Sequence, residues 1–132
     1  MKKTIEKENY LKTLYKMGEN SQAITVTSLA KHFNVSKSTV SNMIKKLVLM
    51  NLVDSKPYQP IFLTNSGKKI AIKIISKHRL IELYLFKKMQ FDLNEVHEIA
   101  EEIEHIKNKK FFNRMGEILG DIRIDPHGSI IP

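Results

Sequence analysis

The sequence predicts a mainly α protein in which a winged helix-turn-helix domain precedes a helical domain. A short helix, a tight turn and a longer helix with a polar, basic beginning lie within residues 28–51, which is the helix-turn-helix pattern. Two strand-like segments around a proline-containing loop follow, and a hairpin in that place makes a winged helix. After the hairpin, apolar residues recur at helical spacing, so the second domain should be helical.

The composition is that of a globular protein with a basic first part. The chain has 132 residues and no cysteine, so disulfides, thiolate nucleophiles and cysteine-based metal sites are excluded. We find neither a signal peptide nor a stretch able to span a membrane, and we expect a cytoplasmic protein. Residues 1–91 hold 17 basic against 5 acidic residues, whereas residues 92–132 hold 5 against 9. This asymmetry indicates a polyanion as partner, with nucleic acid ahead of a membrane.

The first three helices follow from apolar spacing and from residues that begin or end helices. A first helix is predicted from Glu6 to Met17, and Gly18 ends it. Thr27 or Ser28 can cap the short second helix, SLAKHF. The third helix, SKSTVSNMIKKLVLMN, should turn an apolar stripe inward and its polar and basic residues outward. The stripe is Val40, Ile44, Leu47 and Val48, and the outward residues are Ser36, Lys37, Ser38, Thr39, Ser41, Asn42, Lys45 and Lys46.

The predicted hairpin completes a surface suited to DNA. Its strands are Leu52–Asp54 and Ile61–Leu63, and its loop carries Lys56. Serine, threonine and asparagine at the start of the third helix can reach base edges and phosphates, while Lys45, Lys46 and Lys56 suit phosphates. Together with the basic charge, this pattern predicts binding to double-stranded DNA.

Three more helices are expected after the hairpin. Thr64 or Asn65 caps a long helix to about Met89, Asp92 caps a second to about Lys107, and a third covers about Lys109 to Leu119. The tail, DIRIDPHGSIIP, contains too much proline and glycine to be helical. Because one short chain cannot bury the apolar faces of all three helices, we expect a homodimer.

The stretch VHEIAEEIEHI, residues 96–106, combines a helical apolar rhythm with histidines and glutamates. At about 100° per residue, with His97 at zero, Glu101 lies near 40°, Glu104 near −20° and His105 near 80°. These four side chains should share a narrow face, separate from the apolar face and from a solvated acidic face that carries Glu102.

The preceding helix offers His78 and Glu82, four residues apart on a face that also carries Ile81 and Leu85. A carboxylate on such an inward face is costly without a partner. A divalent cation between the two helices would satisfy all six groups. Nitrogen and oxygen donors without a thiolate suit Mn²⁺ or Fe²⁺ and tolerate Zn²⁺ or Co²⁺. The expected domains are therefore residues 1–72, which bind DNA, and residues 73–132, a helical unit for dimerisation and metal binding.

Six segments of the chain together carry a resemblance to a known family. They are ENYLKTLY, VSKSTVSNMIKKL, LTNSGKKIA, KHRLIELYL, EVHEIAEEIEH and DPHGSIIP. Their order and spacing, from about Glu6 to Pro132, make the resemblance specific. In these segments the chain resembles the DtxR/MntR family of iron- and manganese-dependent transcriptional repressors.

The resemblance implies a winged-helix dimer that binds a palindromic operator when loaded with metal and represses metal-ion uptake genes. Ser36, Ser38, Thr39, Ser41 and Asn42 match positions of the recognition helix that meet DNA. The family's main regulatory site matches Asn9, Glu101, Glu104 and His105. A second site of iron-type members matches His78, Glu82 and His97, and in some manganese-type members a second site uses the Glu82 position with Asp125 and His127.

The chain departs from the family pattern at several positions. Glu101 stands where iron-type members often carry cysteine, which favours manganese. Asn9 stands where manganese members usually have Asp, and an amide oxygen is a weaker, neutral ligand. Lys12 occupies a position of a glutamate in short manganese-type members, and a protonated lysine cannot bind metal. The chain stops at Pro132, where longer members continue into an SH3-like domain, so a short form is expected.

Other functions remain open from the residues. A winged-helix regulator that is metal-independent, or that senses an organic ligand, would have the same DNA-binding pattern. A metal-stabilised dimer that contacts a protein is a further alternative, against which the basic recognition helix argues. A carboxylate-bridged di-iron enzyme needs two Glu-x-x-His motifs, and the chain has one, Glu102–His105, whose glutamate belongs to the solvated face. We therefore expect no enzyme.

Overall fold

A computed structural model describes residues 2–20 and 23–120, with the side chains of Lys2 and Lys3 left out. The chain divides into two compact units, Met1–Ile72 and Lys73–Pro132. Six helices and a two-stranded sheet make up the described part of the chain. The elements are α1 Lys2–Glu19, α2 Val26–Phe33, α3 Lys37–Leu49, β1 Val53–Asp54, β2 Phe62–Leu63, α4 Asn65–Lys87, α5 Leu93–Ile103 and α6 Lys109–Leu119.

The first unit is a winged helix-turn-helix. The strands β1 and β2 pair antiparallel with Val53 opposite Leu63, and the loop between them forms the wing. One apolar cluster joins α1, α2, α3, the strands and the beginning of α4. Its buried members include Leu11, Leu29 and Leu47. The predicted fold of this part of the chain is therefore confirmed.

The second helix begins earlier than the sequence indicated. Its N-cap is Thr25, not Thr27 or Ser28. The hydroxyl of Thr25 accepts a hydrogen bond from the Ser28 amide at 3.0 Å, and the Ser28 hydroxyl accepts one from the Thr25 amide at 2.9 Å. This reciprocal pair satisfies two amides that a helix start leaves without intrahelical partners, so α2 begins at Val26.

The recognition helix α3 buries a slightly different stripe from the predicted one. Val40, Ile44 and Leu47 are buried as expected, and Met43 joins them. Val48 was predicted to be inward, but it is 41% exposed. Residues 40, 43, 44 and 47 follow the three- and four-residue steps of one helix face, whereas position 48 lies at its edge.

The start of α4 packs tightly against Leu52, the residue before β1. The hydroxyl of Thr64 accepts a hydrogen bond from the Gly67 amide at 3.1 Å and so caps the helix, as predicted. A Cβ atom at Gly67 would lie 2.0 Å from the carbonyl oxygen of Leu52. Only glycine fits at this contact between backbones.

The second unit places α4, α5 and α6 around its own apolar cluster, which includes Ile81, Val96 and Phe112. The sixth helix has the predicted bounds. The fifth was expected to continue to about Lys107 but ends at Ile103. Regular α-helical hydrogen bonding stops here, because the Ile106 amide donates to the carbonyl of Ile103, only three residues back, at 3.0 Å.

Candidate metal centre and nucleic-acid surface

Two polar residues of α4 are almost fully buried. His78 and Glu82 each have 2% of their surface exposed. They are one helical turn apart, and Nε2 of His78 lies 3.3 Å from Oε1 of Glu82. The prediction that this pair points inward is confirmed. Because burial of an unpaired carboxylate costs free energy, this pair needs cationic or hydrogen-bonding partners.

His97 of α5 meets this pair from the neighbouring helix. Its Nδ1 lies 3.2 Å from Nε2 of His78 and 3.6 Å from Oε2 of Glu82. Its Nε2 lies 2.7 Å from Oε1 of Glu101, one turn further along α5. The side chains of His97 and Glu101 are both about half exposed. The cluster is therefore closed on the α4 side and open to solvent on the α5 side.

His78, Glu82 and His97 fit a divalent metal ion. Each offers one ligand atom, and the three atoms lie within 4.8 Å of one another. Two imidazole nitrogens and a carboxylate oxygen form a donor set that suits first-row divalent metals. An ion between them would also offset the cost of burying the Glu82 carboxylate.

Glu104 approaches the opposite edge of His78. It is fully buried, and its Oε1 lies 3.5 Å from Nδ1 of His78. Burial by itself lowers the pKa of His78. Hydrogen bonds with Glu104 and Glu82, and the charges of these two carboxylates, outweigh burial and raise the pKa above 6.5. The imidazole of His78 thus lies between two carboxylates.

The predicted single face of His97, Glu101, Glu104 and His105 is wrong in part. His97 and Glu101 meet on the exposed side, while Glu104 is buried against the other nitrogen of His78. His105 is half-buried in the turn that follows. Glu104 keeps helical backbone angles and its amide donates to the Ala100 carbonyl, so it differs from His97 and Glu101 in burial. His105 lies beyond the last residue of α5.

The role of three other predicted ligands, Asn9, Asp125 and His127, stays a prediction. Asn9 lies on α1 in the first unit, where it is half-buried. Lys12, which departs from the family pattern, is buried on the same helix. Asp125 and His127 lie outside the described residues, so their role as ligands stays a prediction.

The start of α3 presents a network of hydroxyl groups. Ser36 is the N-cap, and its Oγ accepts a hydrogen bond from the Thr39 amide at 3.1 Å. The same oxygen lies 3.1 Å from Oγ of Ser38 and 2.8 Å from Oγ1 of Thr39. This network orders the hydroxyl groups before any ligand arrives. The positive end of the helix, which favours anions, lies at the same place.

Nearly all residues predicted to meet DNA are exposed. The exception is Ser41, which was expected outward but is half-buried in α3. It lies beside the buried Val40, at the edge of the core stripe. The exposed ones are Ser36, Lys37, Ser38, Thr39, Asn42, Lys45 and Lys46 on or before α3, and Lys56 in the wing.

A groove separates the end of α3 from the wing. It has a volume of about 1090 Å³ and includes Val48, Leu49 and Tyr58 among its lining residues. Lys45 and Lys56 also line it. The groove thus combines apolar side chains with two cations.

Sequence reasoning missed Lys77, which contacts the segment between α5 and α6. Its Nζ donates to the carbonyl of Ile106 and lies 5.0 Å from the centroid of the Phe112 ring. Apolar periodicity carries no signal for such a contact, because the partners are 29 residues apart.

In the described part of the chain, no helix combines the length and apolar character needed to cross a bilayer.

Two family models match the chain in succession. Residues 3–61 match the model described as iron dependent repressor, N-terminal DNA binding domain. Residues 64–132 match the model described as iron dependent repressor, metal binding and dimerisation domain. The two matches together extend over nearly all of the chain.

Individual proteins give the same result. The diphtheria toxin repressor of Corynebacterium glutamicum is 30% identical over 125 residues, which are 95% of this chain and 55% of that protein. An uncharacterised HTH-type transcriptional regulator of Methanocaldococcus jannaschii is 36% identical over 109 residues, 82% of this chain and 87% of that protein. A manganese-dependent transcriptional repressor, solved in complex with manganese, has a TM-score of 0.87 and 35% identity, over 96% of this chain and 58% of that one. The chain thus spans a little over half the length of the repressor and of the solved structure.

Proposed function

Since the chain belongs to the iron-dependent repressor family, we propose that it is a transcriptional repressor whose binding to DNA depends on a divalent metal ion. The genes it represses are those for metal-ion uptake, so that repression increases as the metal becomes plentiful. One observation carries the proposal. His78, Glu82 and His97, from two helices, bring three metal-ligand atoms within 4.8 Å of one another. The family consists of repressors, and the chain is not an enzyme.

Manganese is the proposed physiological metal. The donors are imidazole and carboxylate groups, and the chain has no cysteine, a set that suits Mn²⁺ or Fe²⁺. Glu101 is a carboxylate beside His97, which adds another oxygen donor to the exposed side. The manganese complex of a similar repressor supports this choice. Zn²⁺ and Co²⁺ should bind in vitro as well, because the same nitrogen and oxygen donors bind several first-row divalent metals.

The residues of the centre have separate tasks in this proposal. His78 and Glu82 supply donors from α4, and His97 supplies one from α5. A bound ion supplies two positive charges that offset the buried carboxylate and join the two helices. Glu104 orients the imidazole of His78 through its other nitrogen, as carboxylates beside metal-binding histidines commonly do.

The first unit supplies the proposed contacts with DNA. A homodimer would present two copies of α3 to successive major grooves of a palindromic operator. The exposed hydroxyl groups of Ser36, Ser38 and Thr39 suit base edges and phosphates. The exposed lysines Lys37, Lys45, Lys46 and Lys56 suit phosphates, and their contribution should weaken as salt increases.

The deciding experiment measures affinity for a palindromic operator fragment at fixed salt. The protein is compared in EDTA and in Mn²⁺, anaerobic Fe²⁺ and Zn²⁺. We expect metal to tighten operator binding by about tenfold or more, which is about 1.4 kcal/mol. Equal affinity in EDTA and in every metal would contradict metal control and leave only DNA binding.

Paired substitutions connect this response to the centre. His97→Gln removes a donor from a half-exposed position, where the fold should tolerate the change. Glu102→Gln changes an exposed carboxylate on the same helix and is the matched control. We expect His97→Gln to abolish the metal response and Glu102→Gln to retain it. Asn9→Ala tests the predicted ligand on α1, since loss of a ligand there would weaken the same response.

The groove between α3 and the wing favours a second candidate function. Its volume of about 1090 Å³ and its apolar lining suit a small organic ligand, so the chain would then be a metal-independent regulator. In that case, operator affinity in EDTA would already be specific, and Val48→Asp would abolish the response to the ligand. His97→Gln would change neither property.

A further inference from the structure

Lys77 makes two contacts with the region that follows α5. Its ammonium donates a hydrogen bond to the carbonyl of Ile106, with Nζ 3.2 Å from the oxygen. The same Nζ lies 5.0 Å from the centroid of the Phe112 ring, a distance at which a cation and an aromatic face attract each other. Lys77 is half-buried, so water screens these contacts less than it would at the surface.

The accepting carbonyl belongs to the turn that ends α5. The Ile106 amide donates to the carbonyl of Ile103, the last residue of that helix. Carbonyl groups at a helix end lack intrahelical partners and carry partial negative charge, which a lysine ammonium can satisfy. Lys77 therefore stabilises one conformation of the segment between α5 and α6.

The same segment carries Glu104, and the same part of α4 carries His78. Two adjacent residues of α4, Lys77 and His78, thus contact two nearby residues after α5, Ile106 and Glu104. The ammonium bond and the contact between imidazole and carboxylate join the same two backbone segments. Loss of one contact should loosen the other.

We propose that Lys77 is a positioning residue of the metal centre, which holds Glu104 against Nδ1 of His78. Lys77 touches no metal in this role. It acts by ordering the segment after α5, and Glu104 then orients the imidazole. The consequence for metal binding rests on the proposed function, whereas the ordering of the segment does not. Partners that orient metal-binding histidines typically change metal affinity by about 10- to 100-fold.

Lys77→Met tests the role because methionine keeps a long apolar side chain beside Phe112 and removes the ammonium. Lys73→Met is the matched control, since Lys73 is an exposed lysine one turn earlier on α4. The first measurement is hydrogen exchange at the Ile106 amide in metal-free protein. We expect exchange to become about tenfold faster in Lys77→Met, which is the loss of about 1.4 kcal/mol of local protection, and to stay unchanged in Lys73→Met.

The second measurement is direct titration of each purified protein with Mn²⁺. We expect Lys77→Met to weaken binding by about 10- to 100-fold, and Lys77→Arg to restore part of the affinity because a guanidinium can also donate to the Ile106 carbonyl. Unchanged exchange in Lys77→Met would overturn the proposal. So would faster exchange with unchanged metal affinity, because the ordered segment would then have no effect on the centre.

The two proposals fail in different ways. A wild-type chain that binds no metal would refute the metal-dependent function. The exchange rate of the Ile106 amide in metal-free protein would still decide whether Lys77 orders the segment. Faster exchange in Lys77→Met than in Lys73→Met would support that role in metal-free protein, and equal exchange would overturn it.

Discussion

Nδ1 of His78 lies 3.5 Å from Oε1 of Glu104, while Nε2 of the same imidazole faces His97 and Glu82. A neutral imidazole has one nitrogen that donates and one that accepts. If Nε2 offers its lone pair towards the cluster, the proton resides on Nδ1, the nitrogen nearer the Glu104 carboxylate. One side chain therefore links the cluster to a carboxylate that the family resemblance assigns to a separate site.

Glu104→Gln should lower the pKa of His78. The substitution preserves the size of a fully buried side chain and removes one of the two carboxylates that raise that pKa. NMR titration of the His78 ring protons in metal-free protein measures the change. Glu98→Gln, at an exposed position of α5, is the control and should leave the value as in the wild type. A higher pKa in Glu104→Gln would contradict the contact.

The stability of the metal-free protein should depend on pH through His78. Its pKa in the folded state lies above the ordinary value of 6.5. A raised pKa means that the folded state binds the proton more tightly, so the stabilisation is complete below pH 6.5 and is lost as pH rises through the folded-state pKa. The groups that face His78 are Glu82 on its own helix, His97 on α5 and Glu104 after α5.

Urea unfolding in EDTA at a series of pH values measures this effect. We expect the free energy of unfolding, compared with that of His78→Gln, to decrease as pH rises above 6.5. His32→Gln is the control, because His32 is exposed on α2. A difference between wild type and His78→Gln that increases with pH would have the wrong sign and would contradict the raised pKa.

Gly67→Ala and Gly116→Ala should change stability in opposite directions. A Cβ at Gly67 would meet the Leu52 carbonyl oxygen at 2.0 Å. Because the backbone of Leu52 cannot move aside without disturbing the fold, we expect the free energy of unfolding to fall by about 3 kcal/mol or more. A Cβ at Gly116, inside α6, meets nothing within 4 Å. Alanine there should stabilise the helix by about 0.5–1 kcal/mol. Chemical denaturation of both variants is the test, and equal effects would contradict the close approach at Gly67.

Two substitutions of Ser36 should separate folding from DNA binding. Ser36→Ala removes the oxygen that accepts from the Thr39 amide and should cost about 1 kcal/mol of stability. Ser36→Asp keeps a capping oxygen and adds a charge that a helix N-terminus favours, so stability should be retained. The same negative charge would repel phosphates, and operator affinity should fall. Unchanged affinity in Ser36→Asp would place this part of α3 away from DNA.

Local patterns in the sequence were sufficient for most helices and for the wing. The inward residues Val40, Ile44 and Leu47 of α3 follow from helical spacing, and α6 has its predicted bounds. These features depend on neighbours a few positions apart along the chain. The burial of His78 and Glu82 followed from the same periodicity, because their face of α4 is otherwise apolar.

Helix ends were predicted less well because several nearby residues compete to form them. Thr25 caps α2 although Thr27 and Ser28 are equally suitable by type. The reciprocal hydrogen bonds between Thr25 and Ser28 decide the choice, and residue type alone does not reveal them. Just after the early end of α5, the Ile106 carbonyl accepts a hydrogen bond from Lys77 of α4. The helix α4 begins 28 residues before α5 does, so local residue types do not reveal this contact.

Residue types and their spacing along the chain are enough to predict the winged-helix order, the basic character of the first part and the residues able to bind a metal. The packing of the helices, which the sequence does not reveal, places Glu82 and His97 at one nitrogen of His78 and Glu104 at the other. Contacts between residues of different helices depend on how the helices pack, and periodicity within one helix cannot predict them. The link from Lys77 to Ile106 is of the same kind.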